Sequence, residues 1–116
     1  MSTTNIYLID NAEVYIESPH YQRATIKDVV DYCSDKQRLG VDTETEGLDF
    51  TCKKMIMFQI GDENKQFVID TRVVDIEPLR MILESPEIIK VFHNAKFDLK
   101  FIKKWSNITC EGIYDT

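Results

Sequence analysis

Val41-Asp42-Thr43-Glu44-Thr45-Glu46-Gly47-Leu48-Asp49 is the stretch on which the reading of this chain turns. Leu39 to Thr43 has the composition of a short buried strand, and the run breaks at Gly47. Asp42 and Glu44 stand two apart at the strand's end, and the two-residue period of a strand puts both carboxylates on one face. Neighbouring carboxylates repel unless one is protonated or a cation lies between them. Hard divalent ions such as Mg²⁺ and Mn²⁺ take oxygen donors and satisfy that arrangement. A bare Asp-x-Glu is nevertheless more often a solvated acidic loop, so the pair needs a second signal.

Upstream, Ile6 to Ile9 and Val14 to Ile16 are candidate short strands, followed by a turn-rich stretch from Glu17 to Arg23 that contains Pro19. Thr25 with Asp28 three residues on resembles a capping box, and Ile26, Val29, Val30 and Cys33 form the apolar stripe of a helix. Downstream, Met55 to Gly61 and Gln66 to Asp70 are strands joined by the turn Asp-Glu-Asn-Lys at 62–65. A helix is expected from Ile76 to Leu83, opened by Asp75, with Pro78 in its first turn and its end before Pro86. Ile88 to Phe92 is a fourth strand, apolar except for Lys90. Asn94 or Ala95 opens the last helix, on which Phe97, Phe101 and Trp105 share one stripe, and Ile113 to Asp115 begins another strand. Three strands in a row followed by strand–helix–strand units predict an α/β fold, a mixed sheet covered by helices. Residues 1–24 are expected to be an N-terminal extension and residues 25–116 the domain proper.

The second signal is Val91-Phe92-His93-Asn94-Ala95-Lys96-Phe97-Asp98, a buried strand running into a helix start. Asn94 and Asp98 are four apart, a spacing that places both on one face of the first turn. Open α/β sheets place their sites where strand ends feed helix starts. Read alone, the same residues are an N-cap and a first-turn acid favoured by the helix dipole.

Taken together, the two segments resemble the DEDD 3′–5′ exonucleases, most closely the proofreading domains of family A DNA polymerases. Asp-Thr-Glu-Thr-Glu-Gly-Leu-Asp at 42–49 is similar to their first motif, and Lys90-Val-Phe-His-Asn-Ala-Lys-Phe-Asp-Leu-Lys-Phe-Ile102 to their second. The Asp-Thr at 70–71, the Glu-Pro-Leu-Arg-Met-Ile-Leu at 77–83 and the tail Gly112-Ile113-Tyr114-Asp115-Thr116 fit the elements between and after them. The resemblance spans about Thr25 to Thr116. It implies a ribonuclease H-like α/β fold and two-metal hydrolysis of phosphodiester bonds from a 3′ end of DNA, using two divalent ions, Mg²⁺ or Mn²⁺. Asp42 would bridge both metals, Glu44 would hold one and orient the attacking water, and Asp98 would hold the other. Thr43, Thr45, Leu48 and Asn94 would contact the substrate, Leu48 as a wedge against the terminal base, and Asn94 would hydrogen-bond behind the metal ligands.

The family pattern also has a third motif, a final Asp with a Tyr or His four residues earlier, on a helix further along. The sequence read here stops at Asp115-Thr116, so the expected fold is incomplete at its C-terminus. A downstream or separate polypeptide, such as one carrying a polymerase domain, is the expected source of that motif. The partner implied is a single-stranded 3′ end of DNA or RNA. Self-association through a bare sheet face is a further expectation, and weak or no activity is expected of these 116 residues by themselves.

Composition narrows the alternatives. In 116 residues, 43% hydrophobic and 29% charged, there is material for one domain with a core. A net charge of −6 argues against a general electrostatic nucleic-acid binder, though not against an enzyme that meets phosphate through metal ions. Cys33, Cys52 and Cys110 are widely spaced and read as the reduced thiols of a cytosolic protein, so a cytoplasmic location is expected, with a bacterial or phage-infected cell as the expected setting. His20 and His93 stand far apart, which disfavours a histidine-built zinc site. The N-terminus does not read as a signal peptide, and no membrane span is expected. Lys96, Lys100, Lys103 and Lys104 read as a solvated helix face, with Lys96 the best candidate to meet phosphate; Gln59 reads as a packing residue, and Trp105 and the phenylalanines as core. Two rivals remain open: an exoribonuclease of the RNase D type, and a binding or assembly module that keeps the fold without turnover.

Overall fold

The computed structural model describes residues 4–10 and 21–116. Its strands are β1 (Asn5–Ile9), β2 (Gln22–Arg23), β3 (Arg38–Thr45), β4 (Met55–Gly61), β5 (Lys65–Asp70), β6 (Ile89–Phe92) and β7 (Ile113–Asp115). Its helices are α1 (Ile26–Cys33), α2 (Arg80–Leu83) and α3 (Ala95–Ser106). The strands form one mixed seven-stranded sheet in the order β2-β1-β5-β4-β3-β6-β7. The run β3-β4-β5 is antiparallel; β1 joins β5, β6 joins β3 and β7 joins β6 in parallel.

Pleat alternation decides which side is buried. Leu39, Val41 and Thr43 of β3 are buried, whereas Gly40, Asp42 and Glu44, which alternate with them, are exposed. Register carries the same face across the sheet to Ile60 and Phe58, on to Phe67 and Ile69, and from Leu39 to Lys90 and Phe92. Val29 and Cys33 of α1, Ile82 and Leu83 of α2, and Phe101 and Ile102 of α3 complete a single core with those strand residues. The opposite face, where Ile6, Asp42, Glu44, Gln59 and Ile89 lie, has no helix against it among the described residues.

Local chemistry explains the element ends. Thr25 caps α1 in both directions: its hydroxyl accepts the Asp28 N–H and the Asp28 carboxylate accepts the Thr25 N–H. Asp62 shapes the β4–β5 turn by accepting the N–H groups of Asn64 and Lys65. Asp75 accepts the N–H of Glu77, but Pro78 follows at once, and the expected continuous helix over 76–83 is a 3-10 turn, Glu77–Leu79, leading into the short α2. Arg80 ties this region to the far end of α3 by donating to the carbonyl of Asn107 at 3.1 Å.

Several sequence expectations are corrected. β3 runs on to Thr45, so Asp42 and Glu44 lie inside the strand, and the irregularity falls between Glu44 and Thr45. Within the expected turn-rich stretch, Gln22 and Arg23 are strand, and with β1 they extend the same sheet beyond β5. The candidate strand at 14–16 and residues 17–20 of that turn, His20 among them, lie outside the described residues. Trp105 is not core: it is 40% exposed, and its indole N–H donates to the Lys53 carbonyl at 2.9 Å. The buried stripe of α3 runs instead through Ala95, Asp98, Phe101 and Ile102, with Asp98 among the apolar side chains.

Candidate active site

Three carboxylates singled out by sequence occupy two sides of one strand. Asp42 and Glu44 project from the open face of β3, as the two-residue period requires. Thr43, between them, points to the covered face, where its hydroxyl donates to Oδ1 of Asp98 at 2.5 Å. Asp98 is 3% exposed, and its other oxygen, Oδ2, is buried with no hydrogen-bond partner. Burial pushes the Asp98 carboxyl up to about 6; the Thr43 hydrogen bond opposes the rise, and the nearby charges of Asp42, Glu44 and Asp115 add to it.

Asp98 reaches its place through the turn before α3. Asn94 takes left-handed backbone angles, φ 66° and ψ 58°, and its side chain does not cap the helix. Asn94 does stand at the N-cap position of α3, but without a side-chain capping bond, and it is exposed where Asp98 is buried, so the expected shared face is not seen. What joins Asn94 to the site is its backbone. Its carbonyl accepts the N–H of Phe97 at 3.2 Å, and its own N–H donates to Oδ1 of Asp115 at 3.1 Å. Asp115, read from the sequence only as a strand end, is a fourth carboxylate in the neighbourhood.

The residues with expected substrate roles divide. Leu48 is 86% exposed and lines a groove of about 340 Å³ with Phe50, Asn94, Lys96, Phe97 and Lys100. Lys100 lies over the Phe50 ring, with Nζ 5.6 Å from its centre. Thr45 instead uses its hydroxyl to close the following turn, donating to the Gly47 carbonyl at 2.7 Å. Asp42, Glu44 and Gln59 line a second hollow of about 290 Å³ on the open face, where the Gln59 amide donates to Gln66. A larger cavity of about 660 Å³, beside Trp105 and the 71–76 turn, contains none of the three carboxylates, so size does not locate the chemistry.

Whether these residues suit a divalent cation depends on donors and on convergence. The donor set is all carboxylate, and the orphaned Oδ2 of Asp98 is a buried charge-bearing atom in want of a partner. Among the described residues, however, no group of three or more His, Cys, Asp or Glu side chains is drawn together closely enough to hold an ion. The donor chemistry suits a hard cation, but Asp42 and Glu44 on the open face and Asp98 on the covered face do not converge on one point.

A 3′–5′ exonuclease family profile matches residues 19–116. The chain belongs to the 3′–5′ exonuclease family. DNA polymerase I of Aquifex aeolicus is 36% identical over 92 residues, which covers 78% of this chain and 15% of that protein. Among solved structures, the fold is similar to Trypanosoma brucei RNase D in complex with RNA U12, with a TM-score of 0.74 at 17% identity, over 97% of this chain and 38% of that one. It is also similar to Brucella melitensis NrnC with bound Mg²⁺, with a TM-score of 0.69 at 18% identity, over 97% of this chain and 50% of that one. The exonuclease-family chain thus spans at most about half the length of these relatives. The α/β, ribonuclease H-like mixed sheet expected from the motifs is the fold observed.

Proposed function

We propose that the chain supplies the first two carboxylate segments of a 3′–5′ exonuclease centre that hydrolyses phosphodiester bonds from the 3′ end of DNA. The observation that carries this is the arrangement around β3: Asp42 and Glu44 side by side on the open face, and Asp98 held to the same strand by Thr43. Asp42 and Glu44 would hold divalent ions, Mg²⁺ or Mn²⁺, with Asp98 as the third donor. Such ions, when bound, supply a water ionised near neutral pH and charge stabilisation at the leaving oxygen.

The chain's own residues prepare the rest. Thr43 fixes the orientation of Asp98 and satisfies one of its oxygens. Leu48 and Phe50 with the Lys96 and Lys100 ammonium groups line a groove that would take a base against the apolar wall and a phosphate near the lysines, although the Asp49 carboxylate also lines it. A further carboxylate, distinct from Asp115 and carried on a downstream segment or another polypeptide, would complete the centre.

Calorimetric titration with Mn²⁺ tests the ligand assignment. Binding by the wild type that is lost in Asp42→Ala and reduced in Asp98→Ala supports it; no binding by the wild type, or binding unchanged in Asp42→Ala, refutes it. The likeness to an RNA-bound RNase D favours examining a second reading, an exoribonuclease. The natural full-length protein, given 3′-labelled single strands of DNA and RNA, decides: shortening of RNA alone would replace DNA as the substrate.

A further inference from the structure

We propose that Asp115 and Thr116 are positioning residues for Asp98, fastening the turn from which α3 starts. The proposal rests on the reading of Asp98 as a functional carboxylate and adds the device that places it.

Only His93 and Asn94 separate the end of β6 from the start of α3. Asn94 adopts a left-handed conformation, which asparagine tolerates better than other residues with side chains, and does so without a capping bond from its own amide. Support comes from across the sheet edge instead. Register pairs Phe92 of β6 with Asp115 of β7. From there the Asp115 carboxylate accepts the Asn94 N–H at 3.1 Å. Thr116 donates twice to the Phe92 carbonyl, from its N–H at 2.9 Å and its hydroxyl at 3.2 Å. The same hydroxyl lies 3.3 Å from Nδ1 of His93. Phe92, His93 and Asn94 are thereby each held by Asp115 or Thr116.

The link continues into the site. The Asn94 carbonyl faces the backbone N–H of Asp98 at 3.5 Å, the first α-helical bond of α3. A change in the Asn94 backbone angles, which join the peptide held by Asp115 to the one whose carbonyl faces Asp98, would swing the first turn of α3 and carry Asp98 away from Thr43. Asp115 acts through a backbone N–H, so its function requires an acceptor oxygen at that position and not a negative charge.

Variants that separate the two requirements test this in the chain as it stands. Asp115→Asn keeps a side-chain carbonyl oxygen; Asp115→Ala removes it. The readouts are hydrogen exchange of the Asn94 amide by NMR, Mn²⁺ affinity by titration, and the melting temperature. Loss of one hydrogen bond should speed Asn94 exchange about tenfold in Asp115→Ala. Mn²⁺ affinity should fall about tenfold or more, as for changes behind metal ligands. Asp115→Asn should restore both to near wild type. Equal loss of Mn²⁺ affinity in both variants would overturn the proposal and make Asp115 a ligand in its own right. Unchanged Asn94 exchange in Asp115→Ala would also overturn it. If the wild type binds no Mn²⁺, the exonuclease assignment fails, and the exchange measurement alone still decides the positioning role. Should Asp115→Ala fold poorly, Thr116→Val with Thr116→Ser as its control repeats the comparison at the Phe92 carbonyl; Asn94 exchange as slow in Thr116→Val as in Thr116→Ser would overturn the proposal.

Discussion

The hydroxyl of Thr43 donates to Oδ1 of Asp98 across 2.5 Å, joining two acidic segments that lie 55 residues apart in the chain. Thr43 stands between Asp42 and Glu44, so one strand carries a pair of carboxylates on its open face and the support for a third on its covered face. Replacing it by Val leaves Asp98 buried with neither oxygen satisfied. Thr43→Val should cost about 1–3 kcal/mol, and Thr43→Ser much less. Urea unfolding of the three proteins measures this; equal midpoints for Val and Ser would remove the hydrogen bond from the account.

Asp98 makes stability depend on pH in a defined direction. Its folded value is pushed up to about 6 from 3.8, so between those values the folded chain keeps a proton that the unfolded chain has lost. Stability due to this group is therefore greatest below about pH 4 and falls as the pH rises to about 6, then levels. The full penalty is on the order of 3 kcal/mol at about 1.4 kcal/mol per pH unit. Asp98→Asn should gain on the wild type by up to that amount near neutral pH and by little near pH 4. A stability difference between the two proteins that does not vary with pH would contradict this.

Lys90 lies fully buried beneath α2, donating from Nζ to the carbonyls of Ser85 at 2.5 Å and Ile82 at 3.0 Å. Burial lowers its pKa, with Cys110 and Glu111 opposing. Lys90→Met keeps most of the volume and removes the desolvated charge, so it should change stability by no more than about 1–2 kcal/mol. Lys90→Ala opens a cavity under α2 and should cost about 3 kcal/mol. Thermal melts of both variants distinguish shape from charge; an equal loss in each would mean that the ammonium group, not the packing, is what matters.

Gly61 closes β4 where the chain turns back. A Cβ there would sit 2.1 Å from the carbonyl oxygen of Lys65 and 2.9 Å from Cα of Gln66, both backbone atoms that cannot swing aside. Gly61→Ala should destabilise by about 3 kcal/mol through a shift of the β4–β5 pairing. Chemical shifts along Lys65–Asp70 would report that shift, and an unperturbed spectrum would rule it out.

The sequence by itself determined the α/β class, the strands Met55–Gly61 and Ile113–Asp115, the Thr25–Asp28 cap, and the shared face of Asp42 and Glu44. These follow from side-chain period and capping chemistry, which act over a few residues and can be read locally. The length of β3 beyond Thr43 was not legible, because pairing with β4 carries it to Thr45. Nor was the exposure of Trp105, whose stripe loses the core to Ala95, Asp98, Phe101 and Ile102 once α3 is docked. Most consequential for the site, Asn94 stands at the cap position and Asp115 ends β7, as read, but neither reading showed that the two are bonded to each other. Only the alignment of β7 with β6 brings the Asp115 carboxylate to the Asn94 N–H, and only the covered face of β3 brings Thr43 to Asp98. Contacts between residues 21 and 55 positions apart depend on sheet order and helix docking, which no local pattern of side chains encodes.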